Sequence, residues 1–242
     1  MRKLRMNHQL KDPRGIYIDK NDNIYICDLG NDTVVKLSLT TSPTHTTKST
    51  VYCGDQQPLR YPYSVTVVDE IECVFICFNA YREIIATNLQ LKTYEHAAGS
   101  PDVLPYPIGV AYYNNNLYIV DNRRKNQIAV FKRRGKEPVH EFNSTKDSAG
   151  NEYTFLRARA IHVANEHIYV VDDKGNTVIV MDMEYRLLAK FGEEELMHPT
   201  AITVCEEEVY VTSDPKDGRG AAVVVYELNL NEMTAVLKQI IM

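Results

Sequence analysis

The sequence predicts an all-β chain folded as a β-propeller of four-stranded antiparallel blades, and three observations carry that reading. First, one pattern recurs five times. A small residue stands at Gly15, Ser64, Gly109, Ala160 and Ala201, at separations of 49, 45, 51 and 41 residues. Second, each copy holds four short runs rich in Ile, Val, Tyr and Phe, divided by Gly, Asn, Asp or Pro turns. Third, the runs have strand composition, and no stripe of helical period interrupts them. Units of this kind pack face to face around an axis, because one unit cannot bury both of its faces alone.

Each element follows in order. Two residues before the small residue stands Pro13, Pro62, Pro107 or Pro199, with Ala158 replacing it in the fourth unit. A proline costs nothing there, because the first residue of a strand need not donate to the ladder. The small residue lets backbones crowd together near the axis. After strand a and a polar turn comes strand b: "IYICD", "VFICF", "LYIVD", "IYVVD" and "VYVTS". Strand c is "VVKLS", "IIATN", "IAVFK", "VIVMD" and "VVVYE". A weaker strand d is read in "STVYCG", "LKTYEHAAG", "LLAKFG" and the C-terminal "MTAVLKQIIM". The units span about 13–54, 62–99, 107–150, 158–192 and 199–242 within a single domain, 1–242. The N-terminal "RKLRMNHQL" reads as the fourth strand of a preceding unit. The propeller is therefore five-bladed or an incomplete six-bladed one.

Composition bounds the function. Apolar residues make up 44% and charged residues 24%, there are 16 Tyr and no Trp, and the net charge is -5. That charge argues against a duplex DNA binder, though a local basic face remains open. No segment reaches the roughly 20 apolar residues that span a bilayer, so no membrane role is expected. The N-terminus lacks the apolar run of a secretory signal. The five cysteines include no CxxC pair, which points to reduced thiols and a cytoplasmic setting. Cys73 and Cys77 share one face of one strand, too far apart for a disulfide, and read as buried apolar thiols.

The units resemble a known family. The stretches "PRGI … IYICDLGNDTVVKL" and "PIGV … LYIVDNRRKNQIAVF" are similar to NHL repeats, with a P-x-G-[IV] start and an [IL]-Y-[IV]-x-D centre. Units 1, 3 and 4 match well. Unit 2 has Phe78 and unit 5 has Ser213 where the motif has Asp. The resemblance implies a propeller that usually has six blades. It also implies that single-stranded RNA is a possible ligand, since NHL domains of tripartite-motif proteins include RNA binders. Lyase and lactonase enzymes occur among propellers of this type.

Propeller topology sorts the charges. The d–a and b–c loops lie on one face, and the a–b and c–d loops on the other. The first face collects Arg14, Arg60, Arg82, Arg123, Arg124, Lys125, Arg157 and Arg159, interleaved with Tyr61, Tyr63, Tyr81 and Tyr106. Arg and Tyr offer large contact areas with directed hydrogen bonds, and both are enriched in interface hot spots. The same pair suits single strands of RNA, through phosphate contacts and base stacking. Acids at 192–195, Asp172, Asp173 and Asp214 dilute the face in units 4 and 5. The dense run "NRRKNQIAVFKRRGK" (122–136) separates on folding: Arg123–Lys125 fall in a b–c loop and Lys132–Lys136 in a c–d loop on the opposite face.

The sequence assembles no catalytic set. A catalytic zinc wants three converging ligands with an open position, and no three of the seven histidines occupy equivalent places. The Asp closing strand b (Asp28, Asp121, Asp172) is expected to bond the backbone of the following turn rather than to do chemistry. The expectation is a non-enzymatic scaffold for a protein partner, with no cofactor and no metal. A single-stranded RNA-binding module and a metal-dependent lyase or lactonase are the alternatives.

Overall fold

The computed structural model describes residues 9–38, 45–49, 52–53, 57–58, 60–122, 127–215, 221–229 and 232–241. Among them five four-stranded sheets follow one another, each ordered as in the sequence, which makes the chain a β-propeller of antiparallel blades. Blade 1 holds β1 (Pro13–Ile18), β2 (Asn23–Asp28), β3 (Thr33–Ser38) and β4 (His45–Ser49), and is followed by a short hairpin of β5 (Tyr52–Cys53) and β6 (Gln57–Pro58). Blade 2 holds β7 (Pro62–Val68), β8 (Cys73–Phe78), β9 (Glu83–Asn88) and β10 (Tyr94–Ala98). Blade 3 holds β11 (Pro107–Tyr113), β12 (Asn116–Asp121), β13 (Gln127–Lys132) and β14 (His140–Phe142). A hairpin, β15 (Ser144–Lys146) with β16 (Glu152–Thr154), precedes blade 4. Blade 4 holds β17 (Ala158–Ala164), β18 (His167–Asp172), β19 (Thr177–Met181) and β20 (Leu187–Phe191). Blade 5 holds β21 (Leu196–Cys205), β22 (Glu208–Pro215), β23 (Ala222–Asn229) and β24 (Thr234–Ile241). No helix among the described residues is long and apolar enough to cross a membrane.

The chain divides into two compact units, Met1–Leu117 with Phe131–Val139, and Tyr118–Val130 with His140–Met242. In the first, Tyr25, Cys27 and Val34 of blade 1 pack against Val65, Val67, Val74 and Ile76 of blade 2. In the second, Tyr169, Val171, Val178 and Val180 of blade 4 pack with Val209, Val211, Val224 and Tyr226 of blade 5. The period-2 alternation of strand b explains both clusters: Tyr25 and Cys27 face one way, Ile24 and Ile26 the other. Each buried side chain of this size contributes about 1.5–3 kcal/mol. Tyr25, Tyr118 and Tyr169 hold the same place on their b strands, and all three are buried. Cys73 and Cys77 are buried as expected, Cys27 is buried too, and burial pushes the Cys27 and Cys73 thiols up. Cys205 is exposed.

Two features differ from the sequence reading. Strand d of blade 1 is β4, "HTTKS", and not the more apolar "STVYCG". An outermost strand needs β-branched residues more than an apolar run, and the threonines supply them. The long spacing between the third and fourth small residues accommodates the β15–β16 hairpin, which turns where Asp147 accepts the N–H groups of Ala149 and Asn151 and where Gly150 adopts a φ of 86°. The N-terminal run proposed as a preceding strand lies outside the described residues, apart from Gln9 and Leu10, which form none.

Among the described residues, His162, on β17, is the histidine that burial affects most. Removal from water pushes its pKa from 6.5 down to about 4. Between those values the unfolded chain binds the proton and the folded chain does not, so stability is lost as pH falls from 6.5 through about 4. Denaturant midpoints measured across that window should fall with acid in the parent. In His162→Gln, whose side chain does not titrate, the fall should be shallower.

Candidate interaction face

Two of the strand-end carboxylates, Asp28 and Asp172, settle into structural roles. Asp28 accepts the N–H groups of Lys11 and Asp12, both at 3.0 Å, and the Asn31 side-chain amide at 2.5 Å. Buried Asp172 accepts from Leu156 N–H at 2.7 Å, Arg157 N–H at 2.8 Å, Gly175 N–H at 3.2 Å and Tyr153 O–H at 2.7 Å. The expected bond to the backbone of the following turn is made from Gly175 N–H to Asp172, and Asn31, in the turn after Asp28, reaches that carboxylate through its side chain. The main partners lie 15 to 17 residues earlier, in the segment that leads into strand a of the same blade. Ser213 does the same work in blade 5 with a neutral hydroxyl, accepting from Met197 N–H and donating to Met197 C=O, both at 2.9 Å. Blade 2, with Phe78 in this place, keeps only the backbone part: Asn79 N–H donates to Tyr61 C=O at 3.2 Å, as Leu29 does to Asp12 and Asp173 to Arg157 at 3.0 Å.

That fastening positions the d–a loops, and a β-bulge then aims their side chains. The ladder slips between Pro13 and Ile16, Pro62 and Ser64, Ala158 and Ala160, and Met197 and Ala201. Arg14, Tyr63, Arg159 and Thr200, each one residue before the small residue, fall inside these slips. Bulges take a side chain out of the pairing and re-aim it, and they occur often beside functional sites. Ile108, the counterpart in blade 3, is 3% exposed and belongs to the core.

In the first unit, the Arg14 guanidinium sits 5.7 Å from the Tyr63 ring centroid and pairs with Asp12 at 3.1 Å. Tyr61 and Tyr106 are 48% and 42% exposed, and Arg60, next to Tyr61 in sequence, is exposed too. Tyr61 has a φ of 59°, and Arg82 one of 61°. A left-handed backbone is unfavourable for large side chains, by about 1 kcal/mol or more, and such strain persists where the surroundings enforce it. The surroundings here are hydrogen bonds: Tyr61 N–H donates to Asp32 Oδ1 at 3.0 Å, and Arg82 N–H to Phe78 C=O at 3.0 Å. Tyr81 spends its ring on the blade 1–blade 2 cluster and adds less to the face. Arg123, Arg124 and Lys125 lie outside the described residues. The second half of that basic run is held elsewhere, since Arg133 and Arg134 pair with Glu95 at 3.5 and 2.7 Å. The hydrogen bond from Arg134 keeps the Glu95 carboxyl below its usual range.

In the second unit, Arg157 and Arg159 share the buried Asp173 carboxylate at 2.5 and 3.9 Å. His198 joins them, with Nδ1 at 3.1 Å from Asp173 Oδ1. It repeats the geometry of Tyr61: it precedes a proline, has a φ of 50°, and donates its N–H to Asn176 Oδ1 at 2.9 Å. Sequence reasoning passed over His198, although the "YP" at 61–62 and the "HP" at 198–199 stand two residues before a small residue alike. Thr200 and Thr212 touch through their hydroxyls at 2.9 Å. Among the described residues no three His, Cys, Asp or Glu side chains group as metal ligands.

Comparison with known proteins agrees with the fold. A family model described as DUF5128, 6-bladed beta-propeller, matches residues 103–211. The chain is similar to a structure of a nidogen/laminin complex, with a TM-score of 0.66 and 13% identity over 93% of this chain and 78% of that one. It is similar to virginiamycin B lyase from Staphylococcus aureus, with a TM-score of 0.61 and 14% identity over 95% and 85%. It is also similar to Kuenenia stuttgartiensis hydrazine synthase, with a TM-score of 0.64 and 13% identity over 96% of this chain and 66% of that one. Enzymes and a protein complex share the fold, so the fold does not choose between them. Comparison with curated proteins returns no match.

Proposed function

We propose that the protein is a non-enzymatic interaction scaffold that binds a protein partner through the d–a and b–c loops of its blades. The observation that carries this reading is Tyr61: a tyrosine 48% exposed, held at a φ of 59° in front of Pro62. Folding forgoes a cheaper backbone there, and the side chain so presented keeps nearly half its surface in solvent. Tyr106 and Arg60 are exposed as well, the bulge residue Tyr63 follows two residues after Tyr61, and the Arg14 guanidinium lies 5.7 Å from the Tyr63 ring centroid. Exposed tyrosines and arginines on loops of a rigid sheet scaffold suit a protein surface. The likeness to a nidogen/laminin complex is consistent with this reading, on fold alone.

The variant Arg60→Ala with Tyr61→Ala and Tyr106→Ala tests it. Affinity capture should lose its specific protein partner at least tenfold, the loss of about one hot-spot residue or more. The thermal midpoint should stay within about 2 °C of the parent, since surface changes away from packing cost little. Capture unchanged in the variant would overturn the assignment. The same samples titrated with an oligouridylate separate the RNA reading, which demands a steep fall in affinity with salt.

A further inference from the structure

Arg14 and Arg159 hold the same place in the repeat, inside the bulge, but their surroundings differ. In blade 1 the Arg14 guanidinium grips both oxygens of Asp12, each at 3.1 Å, and lies against the Tyr63 ring. In blade 4 the place of Asp12 is taken by Arg157, so a second cation stands where the first arginine has its counter-ion. Arg159 keeps one ionic contact, from Nη1 to Asp173 Oδ2 at 3.9 Å, which is beyond hydrogen-bond reach. Among the described residues its guanidinium has no hydrogen-bond partner, although the side chain is only 24% exposed. Nε of Arg157 is buried without a partner as well. A guanidinium withdrawn from water needs acceptors, and a planar carboxylate matches its fork.

Charge points the same way. Arg157 and Arg159 share the single carboxylate of Asp173, which leaves an excess of one positive charge. Lys174, the next residue, is exposed. The acids of the following loop are partly spent within the chain: Glu193 binds Lys190 at 2.7 Å, and Glu195 accepts from the Tyr226 hydroxyl at 3.3 Å, while Glu194 is exposed. His198 borders the cluster, and its side chain is 60% exposed. The Asp173 carboxylate accepts from Nδ1–H, so in the neutral ring Nε2 is an acceptor, and it has no partner among the described residues.

We propose that Arg159, backed by Arg157 and Asp173, is a binding site for a carboxylate, the side chain of an aspartate or glutamate on the protein partner; the partner's being a protein rests on the scaffold reading. A monoanion balances the excess charge, which a phosphate dianion would overshoot. Arg159 supplies the fork, the Arg157–Asp173 pair holds it in place, and His198 Nε2 accepts an N–H from the same segment.

The experiment titrates a capped hexaglutamate peptide into the isotope-labelled 242-residue chain and follows the Arg159 Nε–H signal by NMR, with capped hexaglutamine as the control. The glutamate peptide should give a saturable shift and the glutamine peptide none. Arg159→Gln should weaken the glutamate peptide about tenfold, the loss of a charge-assisted hydrogen bond. Arg186→Gln, which removes an equal charge from the Asp182 and Glu184 pairs, should leave the affinity unchanged. No saturable shift in the parent, an equal response to glutamine, or an equal loss in Arg186→Gln would overturn the proposal. So would a shift of Arg159 with inorganic phosphate or an oligouridylate but not with glutamate. The parent titration decides even where Arg159→Gln fails to fold. Partner capture that survives Arg159→Gln, with no peptide response, removes this site and leaves the scaffold reading standing. A peptide response without any captured partner does the reverse: it keeps the carboxylate site and removes the protein as its source.

Discussion

Gly15→Val is expected to be the most damaging single substitution in the first unit. A Cβ at Gly15 would stand 2.7 Å from Ser64 Cα, 3.0 Å from the Tyr63 carbonyl oxygen and 3.0 Å from Val65 N. All three are backbone atoms of β7, a strand hydrogen-bonded to β8 along its length. Nothing flexible can give way, so β1 and β7 must separate, and with them the cluster of Tyr25, Cys27, Val65 and Val67. Overpacking usually costs 1–3 kcal/mol, and contact with fixed backbone puts this case above that, at about 3–5 kcal/mol. Denaturant unfolding of the parent and variant measures it. Gly150→Ala is the informative companion: it has a φ of 86° but no atom within 4 Å of its Cβ position, so it should lose only about 1 kcal/mol from backbone conformation.

Asp172→Ala is expected to lose about 3–5 kcal/mol. The substitution strands three backbone N–H groups, of Leu156, Arg157 and Gly175, together with the Tyr153 hydroxyl. Asp172 is fully buried, so water replaces these bonds poorly. Asp172→Asn should recover part of the loss, because its remaining oxygen still accepts from the backbone while its NH2 meets donors. Urea midpoints for the three proteins give the order parent, Asn, Ala. A carboxylate kept for chemistry would behave differently, as its removal would leave stability nearly unchanged.

The blade plan was legible in the sequence because strands b and c are half or fully buried and therefore spell their alternation plainly. Strand d was less so. β4 is "HTTKS", whose polar residues are ordinary for an outermost strand and invisible to a search for apolar runs. The β15–β16 hairpin is polar for the same reason, and only the long repeat spacing hinted at it. The strand-end aspartates were recognised as structural, but a sequence invites local pairing. Their partners, 15 to 17 residues away, come from closing β2 against the start of β1 and β18 against the start of β17. Arg14, Tyr63 and Arg159 could be named from the repeat, because each stands one residue before a small residue. The bulge that re-aims them could not, because an unpaired residue leaves no mark in composition. His198 was missed because its kinship with Tyr61 lies in backbone conformation and not in side-chain type.

The central claim is that the d–a and b–c loops bearing Arg and Tyr, and not the a–b turns, meet the partner. A photo-crosslinking residue placed at position 61 and, separately, at exposed Glu70 in the a–b turn of the same blade tests this within blade 2. In cells making each variant, position 61 should yield a discrete protein adduct that survives nuclease, and position 70 should yield none. An adduct from position 70 alone, or one at position 61 that nuclease removes, would contradict the account.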